Sequence, residues 1–168
     1  MDSSGVLIDG FDRIQQGVHR VLDRLDPAAA AFRVDEQANS IAWLVWHLTR
    51  VQDDHLADAM KAEQVWSSGA WVEQFGLPFD ASATGYGQHS EDVAAVRVPV
   101  ELLLGYHDAV HARSVDYLRT LTAQDLDRVV DTRWDPPVTL AVRLVSVIAD
   151  DLQHVGQAAF VRGVAERS

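Results

Sequence analysis

The chain has 168 residues, enough for one domain with a substantial core. Its 14 Lys and Arg stand against 25 Asp and Glu, and a formal net charge of -11 argues against non-specific binding to nucleic acid or to an anionic membrane, since both require a basic patch. There is no cysteine, so disulfides, thiolate metal sites and a cysteine nucleophile are excluded, and any metal must be held by histidine and carboxylate.

The N-terminal residues to Gly5 carry no basic segment, and no apolar run approaches the roughly 20 residues that span a bilayer. A cytoplasmic location is the expectation. From Val6 to Leu25, the residues Leu7, Phe11, Ile14, Val18, Val21 and Leu22 recur at helical spacing and predict a first amphipathic helix. His19 in it reads as a surface or core-edge histidine. Asp26-Pro27 marks its end. Asn39-Ser40 then supplies a cap for a second helix from Ile41 to about Glu63, with an inner stripe of Ile41, Leu44, Val45, Leu48, Val51 and Leu56. His47 falls on or beside that stripe, and taken alone it reads more readily as a satisfied core histidine than as a ligand. Trp43 and Trp46 beside it are either a pocket wall or core filling. Asp54, two turns on, is a candidate to orient a histidine or touch a substrate, with an ordinary surface carboxylate as the plainer reading.

Between Gln64 and Val98 the periodicity weakens into a long, aromatic connection, with short helices expected around Ala70 to Phe75 and Ser90 to Val96. A connection of this length is commonly a functional lid; the plain alternative is a crossover that joins two helix pairs. Pro99 opens a third helix that runs to about Leu121 and carries His107 and His111 one turn apart. Spacing alone makes this HxxxH pair as good a chelator as any in the chain, but HxxxH is short enough to occur by chance, and polar interior or rim histidines are the preferred reading. Thr122 to Asp125 resembles a capping box, Val129 to Trp134 reads as a brief extended segment, and a last helix spans Thr139 or Leu140 to Arg162. Within it Asp150 and His154 lie one turn apart on a line with Val147 and Val161. A carboxylate and an imidazole pointing into a core invite a metal ion or a strong hydrogen-bonded partner. The competing reading puts Asp150 or Asp151 at the stripe's edge, bonded to His154 or to an arginine. Gly156 reads as a site of close backbone approach. Four long amphipathic helices and no convincing strand predict an all-α bundle over residues 1–168.

Three stretches carry a family resemblance: Asn39 to Leu48 (NSIAWLVWHL), Gly85 to Ser90 (GYGQHS) and Asp150 to Gln157 (DDLQHVGQ). Together they resemble the DinB-like superfamily of metal-binding four-helix bundles, in particular its actinobacterial branch of mycothiol-dependent transferases and maleylpyruvate isomerases. The resemblance covers nearly the whole chain. It implies a four-helix bundle of DinB-like topology with a long crossover between helices 2 and 3, and a divalent metal held by one histidine of helix 2 and two ligands one turn apart on helix 4. Many members use three histidines, whereas the maleylpyruvate isomerases have a carboxylate first in the helix-4 pair. His47 and His154 match the two histidines, and Asp150 matches the carboxylate with Asp in place of Glu. The shorter side chain leaves Asp151 as the alternative ligand.

On that basis the expected activity is metal-dependent thiol S-transfer, with mycothiol conjugated to small electrophiles in detoxification. Zinc is the first choice of metal, with nickel or iron admitted. A non-catalytic, stress-related metal-binding bundle and a metal-dependent hydrolase are the alternatives. The expected partners are a small-molecule thiol and an electrophile, with no nucleic acid and no membrane, and a homodimer stays open. The connection from Trp66 to His89 is expected to close one end of the metal pocket, with Trp71, Phe75 and Tyr86 as apolar contacts and His89 as a polar one.

Overall fold

A computed structural model describes residues 2–168. Asp2 opens the first helix, because its Oδ1 accepts from the Gly5 N–H at 2.8 Å, so α1 (Ser3–Leu22) starts three residues before Val6. A short α2 (Pro27–Ala30) follows. Ser40 caps α3 (Ile41–Met60) through the Trp43 N–H, and Lys61 in the left-handed region ends that helix before Glu63. The connection holds α4 (Val65–Ser68), α5 (Trp71–Phe75) and α6 (Ser90–Ala95). Then come α7 (Val100–Thr120), α8 (Ala123–Leu126) and the antiparallel pair β1 (Val129–Asp131) and β2 (Val138–Thr139). Capped by Thr139, α9 (Leu140–Ala165) runs three residues beyond Arg162. The two-stranded ribbon is the only sheet among the described residues, so the expected all-α class holds.

Contacts between the four long helices set the topology. Gly10 faces Ile148 and Gly17 faces Val155, seven residues on in both helices, so α1 and α9 run parallel. Asp12 meets His111 while Gln15 bonds Asp108, which makes α1 and α7 antiparallel. By the same logic α3 is antiparallel to α9, where His47 meets His154 and His55 meets Arg143. It is parallel to α7, where Thr49 meets His107 and Gln52 bonds Ser114. The order is up, down, down, up, with the crossover between α3 and α7 that the DinB-like resemblance implies. A Cβ on Gly17 would sit 2.5 Å from Val155 Cγ1, so glycine there sets how closely α9 approaches α1. Phe11, Ile14, Val18, Leu44, Leu48, Leu56, Leu103, Leu118, Leu140 and Leu144 are fully buried between the helices. Each contributes about 1.5–3 kcal/mol of burial free energy.

The HxxxH pair belongs to this interior rather than to the cluster around His47. Thr49 donates its hydroxyl proton to Val45 O, so His107 Nδ1 must donate to Thr49 Oγ1 at 3.1 Å, leaving the buried Nε2 without a partner. His111 lies 3.1 Å from Asp12 on the α1 side. Burial, then His111, lowers the His107 pKa to about 3, so the folded protein holds this ring neutral where an unfolded chain, with a pKa near 6.5, would protonate it. Stability from this group is therefore complete above pH 6.5 and is lost as pH falls toward 3. Between pH 7 and 5 the loss should be about 2 kcal/mol. Urea unfolding at both pH values should show that extra loss in the wild type relative to His107→Gln. Equal losses would refute it.

Candidate metal centre

Residues on α3, α9 and the crossover meet in the groove between the two helices. His47 is 3% exposed and reaches the groove from α3, while Asp150 and His154 come from successive turns of α9. One ligand-capable atom from each of the three lies within 4.8 Å of the others. Among the described residues this is the one such group of His, Cys, Asp and Glu. The two imidazole rings meet edge to face with centroids 4.8 Å apart, and His154 Nε2 is 3.6 Å from Asp150 Oδ2. That separation is too long for a hydrogen bond.

The histidines are oriented from behind. His47 Nδ1 donates to Thr84 O, which leaves Nε2 free toward the groove. Trp43 stacks on the ring with centroids 4.6 Å apart, and Trp43 Nε1 is itself tied to Gln88 Oε1 at 2.7 Å. Tyr86 closes the other side edge-on at 5.2 Å. Gly85 makes the backing possible: its φ is +106°, and a Cβ there would stand 2.3 Å from His47 Nδ1. On α9, His154 Nδ1 bonds Gln157 Oε1 at 2.8 Å. Since the amide oxygen can only accept, the proton sits on Nδ1 and the second ring nitrogen carries the free lone pair. Burial is the main cause that lowers the His47 pKa, followed by the bond to Thr84, which opposes it, and by His154. A neutral imidazole is the ligating form.

Asp150 Oδ2 is buried with no hydrogen-bond partner, an orphaned acceptor that faces two free imidazole nitrogens. Two imidazoles and one carboxylate match the donor set of a three-ligand catalytic zinc centre, so these residues fit a divalent ion. Asp150 sits at the edge of the apolar stripe rather than in its line. The inward position belongs to Asp151, which is fully buried with neither carboxylate oxygen partnered. Burial, reinforced by the charge on Asp150, raises its pKa well above the usual carboxylate range. Asp151, the alternative ligand, is not one of the three residues whose ligand-capable atoms come together.

The crossover reaches the site, but of the four residues expected there only Tyr86 does so. Thr84, Gly85, Tyr86 and Gln88 do touch it. Trp71 and Phe75 instead pack on Tyr106 at 5.5 and 5.8 Å, filling the core between the crossover and α7, and exposed His89 caps α6. Helical spacing shows which residues turn inward along a helix, but not which helix a short connector segment lies against. Asp54 Oδ1 accepts from Gln64 Nε2 at 2.7 Å, and Asp54 stands near enough to help raise the Tyr86 phenol pKa, chiefly raised by burial.

His55, Arg143 and Asp131, which helical spacing does not single out, line a polar cavity of about 510 Å³ further along the same groove. Arg143 donates to His55 Nδ1 at 2.9 Å and to Asp131 Oδ2 at 3.0 Å. The one signal in the sequence was an arginine on the inward face of the last helix, three residues before Ser146. Gly156 also differs from expectation: nothing lies within 4 Å of a Cβ placed there, so it faces open space rather than another backbone.

A four-helix bundle with an α3–α7 crossover, bearing two histidines and a carboxylate between its second and fourth long helices, is of the DinB-like class. Within it the chain belongs to the mycothiol-S-transferase family, whose model matches residues 6–166. It is also similar to a solved structure, that of a conserved protein of locus from Enterococcus faecalis. The two are 30% identical with a TM-score of 0.93, over 100% of this chain and 99% of that one. No curated protein matches the chain. Among the described residues no helix is long and apolar enough to cross a membrane.

Proposed function

We propose that this protein is a metal-dependent S-transferase that conjugates mycothiol to small electrophiles, as a cytoplasmic detoxification enzyme, with His47, Asp150 and His154 holding the ion. The observation that carries the reading is the convergence of two free imidazole nitrogens on an orphaned carboxylate oxygen, in a cysteine-free member of the mycothiol-S-transferase family. Zinc suits this donor set best, and nickel or iron(II) are admitted by it. When bound, such an ion lowers the pKa of a thiol into the neutral range, supplying a nucleophile the chain itself lacks.

The protein's own residues hold the geometry. Thr84 O and Gln157 Oε1 fix the two imidazole tautomers, and Trp43 and Tyr86 keep the His47 ring from rotating and shield it from water. Asp150 would balance part of the charge of a bound ion. In the reaction the thiol proton passes to solvent through the open side of the groove. The sulfur pair forms the C–S bond, and the leaving group departs with the electrons of the bond it breaks. A thiolate of lowered pKa is a weaker nucleophile, so positioning in the groove must supply much of the acceleration.

The test is conjugation of a generic electrophile such as a chlorodinitrobenzene, with mycothiol and with other thiols, before and after chelation. The expected result is turnover above background with mycothiol, lost on chelation and restored by added metal. Background rates with every thiol would favour a non-catalytic metal-binding bundle. Electrophile hydrolysis without thiol would favour a metal-dependent hydrolase.

A further inference from the structure

The last long helix, α9, packs against α1 and α3 and turns its remaining face to solvent. On that face Val142, Val145, Ala149, Leu152, Gly156 and Phe160 are all exposed, at successive spacings of three or four residues. Such spacing aligns them in one outward seam roughly 27 Å long, at about 1.5 Å per residue. Val145 is 57% and Phe160 67% exposed. No exposed residue of α9 from Val142 to Phe160 carries a charge. The other long surface helices differ: α1 exposes Asp9, Arg13 and Arg20, and α7 exposes Glu101, Asp116 and Arg119. Toward its C-terminal end the seam borders a cavity of about 480 Å³, walled by Gly156 and Phe160 on α9 and by Asn39 and Leu44 on the other side. Nothing lies within 4 Å of a Cβ placed on Gly156, so the seam is open there. A long apolar face without charges marks a surface made for contact.

We propose that this face of α9 is the interface of an antiparallel homodimer, in which Val145 of each copy fills the cavity beside Phe160 of the other. Charge selects a second copy as the occupant. Each chain carries a net charge of -11, so two copies repel one another except where both are neutral, and this seam is a neutral surface that both bring. A basic partner would dock on the acidic faces instead, and an anionic membrane is repelled. The order of sizes along the seam sets the direction. With Leu152 beside the two-fold axis, an antiparallel pair places Ala149 against Gly156, two small residues that let the backbones approach, and brings Val145 level with Phe160 and its cavity. The knob in one half of the seam thus meets the hole in the other half, once on each side of the axis. A parallel pair would set Phe160 against its own copy, leave both cavities unfilled and align the helix dipoles. Asp150 and His154 lie on the flank of α9 toward α3, so the interface leaves the metal cluster open. A standard interface covers about 800 Å² per partner, more than one helix face supplies, so the dimer should be of micromolar strength.

Sedimentation velocity of the full chain from about 1 to about 200 μM tests the association. The wild type should pass from monomer to dimer over that range. Leu152→Glu sets two like charges together at the axis and should weaken the dimer by about tenfold or more. Leu152 is 42% exposed in the single chain, so the variant should keep the wild-type helical content and melt like the dilute wild type. Single cysteines in this cysteine-free chain then test the direction. Leu152→Cys should form a disulfide-linked dimer under mild oxidation, because its counterpart lies across the axis. Val142→Cys should not, since an antiparallel pair holds its counterpart about 30 Å away, far beyond the roughly 7 Å between Cα atoms that a disulfide spans. Should Leu152→Glu fail to fold, the two cysteine variants decide alone. A wild type that stays monomeric at the highest concentration overturns the proposal, whether or not it floats with phosphatidylcholine vesicles. So does a dimer that Leu152→Glu leaves intact, and so does equal cross-linking of Leu152→Cys and Val142→Cys, which would mean a parallel or unspecific contact.

Discussion

Replacing His154 by alanine is expected to reduce divalent-metal affinity by more than about a hundredfold and to abolish metal-dependent turnover. Groups that only orient a metal ligand are commonly worth about 10–100-fold in affinity, and His154 stands in the proposed ligand set itself. His47→Ala should behave alike, because the free Nε2 of His47 and the orphaned Asp150 Oδ2 belong to one cluster with His154. Stability should change little in His154→Ala, whose ring is partly exposed at the groove. Metal content after gel filtration, with calorimetric titration of zinc into the chelated proteins, measures the effect. Undiminished stoichiometric metal in both variants would remove the site from the α3–α9 groove, and a loss confined to His107→Ala or His111→Ala would move it to α7.

Asp53→Ala should cost about 3–5 kcal/mol of stability, a large fraction of the 5–15 kcal/mol typical of a folded domain. Asp53 and Arg50 are almost wholly buried, with Asp53 Oδ2 3.8 Å from Arg50 Nη1. The same carboxylate accepts from the Val65 and Trp66 N–H groups at 2.9 and 2.8 Å, capping α4, and from the Tyr106 hydroxyl at 2.9 Å. Alanine leaves a buried guanidinium without its counter-charge and several donors without an acceptor. Arg50 also bonds Gln64 Oε1 and Ala83 O, so the network fastens the crossover immediately before Thr84, the residue that orients His47. Urea unfolding should show the stability loss, and zinc titration below the transition should show weakened affinity through the loosened Thr84. A loss under about 1 kcal/mol would show that the network is dispensable.

Much of this arrangement was legible in the residues because it is local. The apolar periods of α1, α3, α7 and α9 depend on 3.6 residues per turn, and the caps at Ser40 and Thr122 depend on one side chain reaching a backbone N–H three residues on. The separation of Asp150 and His154 by one turn is local too, and the resemblance to the DinB-like bundles added His47 from a distant helix. The boundaries were less legible. Asp2 extends α1 through a cap that looks like an ordinary N-terminal acid, and Lys61 ends α3 by a left-handed conformation that its side chain does not announce.

What the chain by itself determined, then, is the set of helices, their inward faces and the chemical types available for a metal: histidine and carboxylate, with no thiolate. Tertiary packing decided the rest. Whether Asp150 or Asp151 faces the groove depends on the rotation of α9 against α3 and α1, a matter of tens of degrees that the Gly17–Val155 contact sets and that period counting cannot resolve. His107 shares a helical face with His111 just as Asp150 does with His154, yet the up-down-down-up order puts its Nδ1 against Thr49 inside the bundle. The crossover was ambiguous for the same reason: Trp71 and Phe75 carry the same apolar character as Tyr86. Only the anchoring of Asp53 to α4 and of Arg50 to Ala83 sends the first two to Tyr106 and the third to His47. Contacts between residues far apart in the chain follow from how the helices pack against one another, and spacing within one helix does not encode that packing.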